Sequence, residues 1–350
     1  MKILFHLLFT SLSLFAIAQK EGKKATNPDK LGFVYSDLIE ERTASTGIHL
    51  PFSAIKIIDS RFDTSKLGFK PIESTNLSVM TTFKKISIRG GIAKSIENFY
   101  NDYYKNSFNQ NDFVLLIVMK KFWISGIDNS KGNRIDFTEY SETAANFYCK
   151  WEYYLGKGDR YLPIKRIDTI IKANEDGFKY YEGGLKGSKL EYFKSILKSL
   201  IEIFDFEKAI VAYESQPKKT LTEVHAYNNK RNFLPILQDS VVKRGVYLNF
   251  NDFINNKPTI VSFIEKKMNY GNAGITKEQY LETPSGESIS EYWGYSDGKV
   301  LRYGKFGNEL IFRVGNTFEF FIVRKRTEGS GTSNYSRTPY QLNMETGEPY

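Results

Sequence analysis

From Phe147 to Tyr154 the chain alternates with a period of two: Phe147, Cys149, Trp151 and Tyr153 fall on one side, Tyr148, Lys150, Glu152 and Tyr154 on the other. Side chains of an extended backbone point alternately to opposite faces, so this spacing predicts a strand with one apolar face and one mixed face. Such a strand requires paired neighbours and a packed layer, and it therefore sets the class of fold. Gly156-Lys157-Gly158-Asp159 supplies a turn and Leu162 to Ile171 a second strand, so 146–171 reads as a hairpin. The apolar run Phe113 to Met119, closed by Lys120-Lys121, reads as a buried strand extending to residue 124.

Layers for this sheet are legible as two amphipathic helices. After Gly90-Gly91, residues Ile92, Ile96, Phe99, Tyr100 and Tyr103 lie on one helical face. Ser188-Lys189-Leu190-Glu191 has the form of a capping box and opens a helix whose stripe is Phe193, Ile196, Leu197, Leu200, Ile201 and Phe204. Lys189, Lys194 and Lys198 fall away from that stripe, and a core-facing helix accounts for it better than a membrane-surface one. Ser53 to Ile58 reads as a further strand, followed by the polar turn Asp59-Ser60-Arg61-Phe62-Asp63, whose charges suit surface pairing or turn capping.

The pattern breaks at Gln216-Pro217-Lys218-Lys219, and 216–239 reads as a linker. Beyond it, Val246 to Phe250, Ile260 to Ile264, Ser288 to Tyr295, Val300 to Tyr303, Glu309 to Val314 and Thr317 to Val323 are strand-like, with Gly315-Asn316 a hairpin turn between the last two. The predicted class is α+β: an N-terminal α/β-type sheet with two amphipathic helices over 31–215, then a mostly antiparallel β domain over 240–327. Residues 19–30 are polar and read as a flexible leader; 328–350, rich in Gly, Ser, Thr, Asn and Tyr, read as a tail or a late edge strand.

Met1-Lys2, the apolar stretch from Ile3 to Phe15 and the ending Ala16-Ile17-Ala18 have the form of a secretory signal peptide, with cleavage near Ala18-Gln19. The apolar run is interrupted by His6, Thr10, Ser11 and Ser13 and is short for a membrane span, and no later segment is long and apolar enough for one. The expected location is therefore extracytoplasmic: periplasm, cell surface or medium. Cys149, the single cysteine, excludes an intrachain disulfide framework and a cysteine-based zinc site, and its place between Phe147 and Trp151 reads as core. Hydrophobic residues at 41% and charged residues at 25% exclude global disorder. The net charge of +9 is carried mostly by lysine, in pairs such as Lys120-Lys121, Lys165-Arg166, Lys218-Lys219 and Lys243-Arg244 that are scattered, with no arginine-rich stripe. No nucleic-acid partner is expected.

Catalytic motifs are incomplete. Gly294-Tyr295-Ser296-Asp297-Gly298 matches the nucleophile elbow, but its exit reads as a strand rather than a helix, and no histidine follows His225. A tight turn at Tyr295-Ser296-Asp297-Gly298 between strands 288–295 and 299–304, with Ser296 solvated, is expected instead. Asp128 to Glu139 matches a calcium loop only at its ends, with Gly132 and Asn133 where a ligand and a glycine belong. Ser195-Ile196-Leu197-Lys198 fits S-x-x-K inside the predicted helix, and His49 and His225 have no local partners at ligand spacing. No cofactor or metal is expected. One binding constellation remains: Glu291, Trp293 and Tyr295 would share a face of the 288–295 strand, with Asp297 in the following turn, a platform able to stack on a sugar or grip a peptide.

The order strand, Asp59-Ser60-Arg61 turn, helix, long apolar strand, hairpin, helix over residues 50–212, with Ile57-Ile58-Asp59-Ser60-Arg61 as its motif, resembles the α/β domain of envelope auxiliary lipoproteins of Gram-negative bacteria. The second half resembles β-rich halves of exported bacterial proteins. The chain departs from the first family by lacking a lipid-attachment cysteine. The resemblance implies an accessory role, with an envelope protein or glycan as partner and no catalytic residues to carry over. The expected function is an exported cell-envelope component of binding or scaffolding type. The alternatives are a carbohydrate- or peptide-binding module centred on Trp293, and a hydrolase using a dispersed carboxylate pair.

Overall fold

Seven strands form the N-terminal sheet: β1 (Phe33–Ser36), β2 (Ala54–Asp59), β3 (Gly68–Ile72), β4 (Thr82–Ile88), β5 (Phe113–Ile127), β6 (Ala144–Lys157) and β7 (Arg160–Lys172). The computed structural model describes residues 27–38, 47–72, 82–127, 144–172, 188–270, 276–306, 308–327 and 333–350. The export signal, the leader up to residue 26 and the calcium-like loop after Ile127 lie outside the described residues. Strand order is β1-β4-β3-β5-β6-β7, with β2 beside the first half of β5. β1 on β4 and β2 on β5 are parallel, whereas β5, β6 and β7 form an antiparallel meander. The turn between β6 and β7 uses Gly158 at φ +58°, and the hairpin is the one read from the alternating stretch. At Gly68 a Cβ would lie 2.1 Å from the Ile124 carbonyl oxygen, so the point where β3 pairs with β5 requires a glycine.

Helices α1 (Ile92–Tyr103) and α2 (Ser188–Glu202) cover the apolar face. Their stripes (Ile96, Phe99 and Tyr100; Phe193, Leu197 and Leu200) pack against Met119, Cys149, Trp151 and Tyr153 in the largest core. Two buried phenols close it by donating to carbonyls of α2: Tyr100 to Leu197 at 2.7 Å and Tyr153 to Leu200 at 2.9 Å. Helix α3 (Phe206–Tyr213) packs its Tyr213 with Leu155 and Leu162.

The expected linker is largely helical. Residues Leu221–Asn229 form α4, followed by a 3₁₀ turn and the short α5 (Pro235–Gln238). Thr220 and Glu223 make a reciprocal capping box at the start of α4. Val224 of that helix packs with Leu116, Val118 and Tyr154 on the second face of the sheet. The leader is also structured at its end: Asn27 caps a 3₁₀ turn over Pro28–Lys30, and Lys85 donates to the Asp29 carbonyl at 3.0 Å.

The second half contains β8 (Gly245–Tyr247), α6 (Phe250–Ile254), β9 (Ile264–Tyr270), β10 (Thr276–Glu282), β11 (Ser288–Ile289), β12 (Gly294–Ser296), β13 (Leu301–Tyr303), β14 (Glu309–Val314), β15 (Thr317–Thr327) and β16 (Ser333–Gln341). A six-stranded antiparallel sheet runs β16-β15-β14-β13-β12-β8, beside a three-stranded sheet β11-β10-β9. The class is thus α+β. Three expectations are corrected here. The strand read over 246–250 stops at Tyr247 because Asn249 caps α6. The strand read over 288–295 is two short ones, separated by residues 290–293. The strand read over 260–264 begins only at Ile264, as β9, whereas of the tail or late edge strand read over 328–350 Ser333–Gln341 form the edge strand β16, paired along β15.

The halves meet through buried charge. Lys66, after β2, bonds both Asp63 and Glu319 of β15, and neither Lys66 nor Glu319 has any side-chain exposure (0%/0%). Phe62 joins the core of the β half, and Ser60 donates to Asn229 at 3.1 Å.

Candidate functional site

The expected platform is not assembled. Trp293 is 3% exposed and stacks on Phe253 with centroids 4.2 Å apart, while its Nε1 donates to the Gly347 carbonyl at 3.3 Å. Tyr295 is 1% exposed and belongs to a different cluster, edge-on to Phe263. Residues 290–293 lie outside the strands, and Trp293 and Tyr295 are packed into two different cores, so no shared face forms. Glu291 and Asp297 are exposed, and Asp297 is occupied in accepting from the backbone N–H groups of Lys299 and Val300, both at 2.7 Å.

The hairpin at the elbow-like motif exists with a shifted turn. Ser296 pairs with Leu301, and the connection is Asp297–Val300 with Gly298 at φ +90°. Ser296 is therefore a buried strand residue rather than a solvated one, and its Oγ accepts from Gly298 N–H at 3.0 Å. Ser296→Ala is expected to lower stability by about 1 kcal/mol, one modest hydrogen bond, measured by denaturant titration. A serine-directed fluorophosphonate is expected to leave the protein unlabelled, and labelling at Ser296 would overturn the hairpin account.

Other sequence candidates are structural. The Asp-Ser-Arg turn is a buried joint and not a surface pair: Arg61 binds Asp59 through Nε and Nη2 at 2.8 and 2.7 Å and donates Nη1 to the Lys66 carbonyl at 2.8 Å. Burial pushes the Cys149 thiol well up, consistent with a core role. His49 is exposed and His225 half-buried on α4. Among the described residues no group of three or more metal-ligating side chains converges.

Two constellations were not legible. The first is an ion network over the mixed face of β5 and β6. Glu345 contacts Lys150 at 2.8 Å, Arg231 at 3.2 Å and Lys121 at 3.6 Å. Burial raises the Glu345 carboxyl, but the hydrogen bond from Lys150 and the charges of Arg231 and Lys121 outweigh it and hold it below the usual range. Lys120 pairs with Glu152 at 2.6 Å, with burial drawing the ammonium down against that partner. Arg231 stacks on Phe62 at 4.6 Å, and its Nε and Nη1 are buried without acceptors. Covered on all sides, those donors offer no approach to a ligand. The network binds residues 342–350 to the sheet.

The second is an open groove of about 750 Å³ between β7 and α3. Its local origin is simple. The chain leaves α2 at Ile203-Phe204, and Asp205 precedes α3, its carboxyl held low by the hydrogen bond from Lys208. Phe206, Ala209 and Tyr213 recur at helical spacing on the inner side of α3. Pro217 then turns the chain so that Lys219 bonds Tyr161 of β7 in both directions, at 2.7 and 2.8 Å. The floor is Leu162, Phe204, Phe206, Ala209, Ala212 and Pro217; the two alanines leave the space open. Lys165, Lys208, Lys218 and Lys219 stand at the rim. Ile203 of the lining is 63% exposed, and Val211 on α3 is 83% exposed. A smaller recess of about 470 Å³, lined by Lys157, Arg160, Tyr213, Glu214 and Lys218, adjoins it at Lys218. Lys165 and the pair Lys218-Lys219, distant in sequence, thus come to one place. No family model, no curated protein and no solved structure matches this chain.

Proposed function

We propose that this chain is an exported cell-envelope protein of binding or scaffolding type, whose working surface is the groove between β7 and α3. The observation that carries it is the groove itself: a concave apolar floor with Ile203 of its lining held out toward solvent. Its volume falls in the range of ligand sites, and apolar side chains beside a concavity mark surfaces that other molecules cover. The extracytoplasmic location rests on Met1 to Ala18, and no described helix is long and apolar enough to cross a membrane. The glycan-platform alternative loses its support with Trp293 buried.

Ala212→Trp fills the groove from the floor and supplies the test. A partner recovered from envelope extracts with the wild-type chain is identified, purified and titrated against both proteins. Its affinity is expected to fall at least about tenfold with the groove filled, a loss of roughly 1.4 kcal/mol. Equal affinity for both would move the working surface elsewhere.

A further inference from the structure

Resting on the groove as the working surface, we infer that its occupant is a peptide segment with an apolar stretch next to carboxylate side chains. The charge around the floor is one-sided. Of the lining residues four are lysines and one is a carboxylate, Asp205, and that carboxylate is engaged by Lys208 at 3.0 Å. Lys165, Lys218 and Lys219 have no carboxylate within ion-pair distance among the described residues. Lys218 instead lies 4.8 Å over the Tyr213 ring and 3.3 Å from the Glu214 carbonyl, and Lys219 lies 4.0 Å over Tyr227. The Lys218 ammonium thus sits against the low-dielectric ring face of Tyr213, where an incoming anion is screened less than in open water.

Position gives the ligand a direction. The apolar floor ends at Lys218, and beyond it the adjoining recess presents Lys157 and Arg160. An occupant that buries apolar side chains over Ala209 and Ala212 therefore delivers its next residues to three cations. Glu214 opposes them within the recess lining, and exposed Asp112 stands 3.9 Å from Lys157.

The main chain argues for a peptide over an acyl chain. β7 is the edge of its sheet, and its backbone is bonded beyond the sheet at Tyr161, to Lys219, at the Arg160 carbonyl, which accepts from Tyr213 at 2.8 Å, and at the Lys172 carbonyl, which accepts from Tyr192 at 3.1 Å. The wall from Pro163 to Lys165 offers backbone polar groups that hydrocarbon would leave unpaired and a peptide can satisfy. Pro163 lacks an N–H, and the register shift where Tyr153 and Tyr154 face Lys165 and Pro163 breaks the edge, so a long added strand is disfavoured. Recognition then falls to side chains: apolar on the floor, acidic at the end.

The experiment selects a displayed library of random decapeptides on the purified full chain, with Ala212→Trp as counter-selection. Expected is enrichment of sequences in which an apolar stretch adjoins Asp or Glu on one side. Representative peptides should bind Lys165→Glu/Lys218→Glu about tenfold more weakly than wild type, and their Glu→Gln versions should bind both proteins alike. Enrichment that Ala212→Trp abolishes but that carries no acidic preference would overturn this inference and leave the groove as the working surface. Selection unaffected by Ala212→Trp, or no enrichment, would overturn both. Binding to vesicles of phosphatidylcholine with phosphatidylglycerol in place of any peptide would overturn it in favour of a lipid surface.

Discussion

Lys66→Met is expected to lower stability by about 3–5 kcal/mol, the cost of leaving buried charge without its partner. The side chain lies between Asp63 and Glu319 with no exposure of its own, and Glu319 has none either. Burial already raises the Glu319 carboxyl, against the opposing charge of Lys66, and one of its oxygens, Oε2, is buried without a hydrogen bond. Burial also works against ionised Asp63, but Lys66 and the hydrogen bonds from Ser65 hold that carboxyl below its ordinary range. Methionine preserves the length of the chain and removes the charge, so two carboxylates would compete in one dry site. Glu319→Leu in the same background should restore much of the loss, because an apolar replacement of a buried ion pair is often neutral. Denaturant unfolding of the two single variants and the double one measures the coupling. A loss under about 1 kcal/mol for Lys66→Met would place the cluster in water, against its burial.

Trp293→Ala is expected to cost about 3–5 kcal/mol, as for other buried aromatics. The indole is a hub of the second core: it stacks on Phe253, tilts against Phe250 at 5.7 Å and Tyr303 at 5.2 Å, and donates to Gly347. That carbonyl also accepts from the Tyr303 hydroxyl at 2.9 Å, so the turn at Gly347 is held from two sides. Gly347 itself has φ +76° and a Cβ there would fall 2.5 Å from the Phe250 ring, which leaves the turn little room to follow a collapsing cavity. Phenylalanine in place of Trp293 should recover part of the loss but not the hydrogen bond. Thermal unfolding of Trp293→Ala and Trp293→Phe tests this. A stable Trp293→Ala variant that no longer binds a glycan would instead return the residue to a ligand site.

The parts of the fold legible in advance are those where one side of an element is buried continuously. β6 and α1 are examples: their periods of two and of about 3.6 follow from a single packed face. α4 was read as linker because its stripe is thin; of Leu221 to Asn229 only Val224 and Asn228 are buried, although Thr220 and Glu223 carry the capping signal. The face assigned to Glu291, Trp293 and Tyr295 fails for the opposite reason: the residue types suit a strand, but Ser290 to Trp293 belong to neither β11 nor β12. The groove had no local signature. Its floor comes from β7, α3 and the turn at Pro217, and no spacing within one element reports where three elements converge. Lys218-Lys219 was visible as a basic pair, while its position at a rim depends on the Tyr161–Lys219 pairing.

The joint at Lys66 also orders events in time. Its second partner stands 253 positions later in the chain. At usual rates of synthesis, Glu319 follows Lys66 by roughly 10 to 50 seconds. Over that interval the first sheet can gather its own strands, since among the described residues β1 to β7 share one sheet that takes no strand from the second half. Asp63, three positions from Lys66, is a counter-ion present from the outset. The early half thus has a provisional neutralisation of its lysine, and the arrival of β15 turns a local pair into a long-range one. Non-local contacts of this span slow the final docking more than they slow either sheet, so assembly of the whole chain should lag behind formation of its first core.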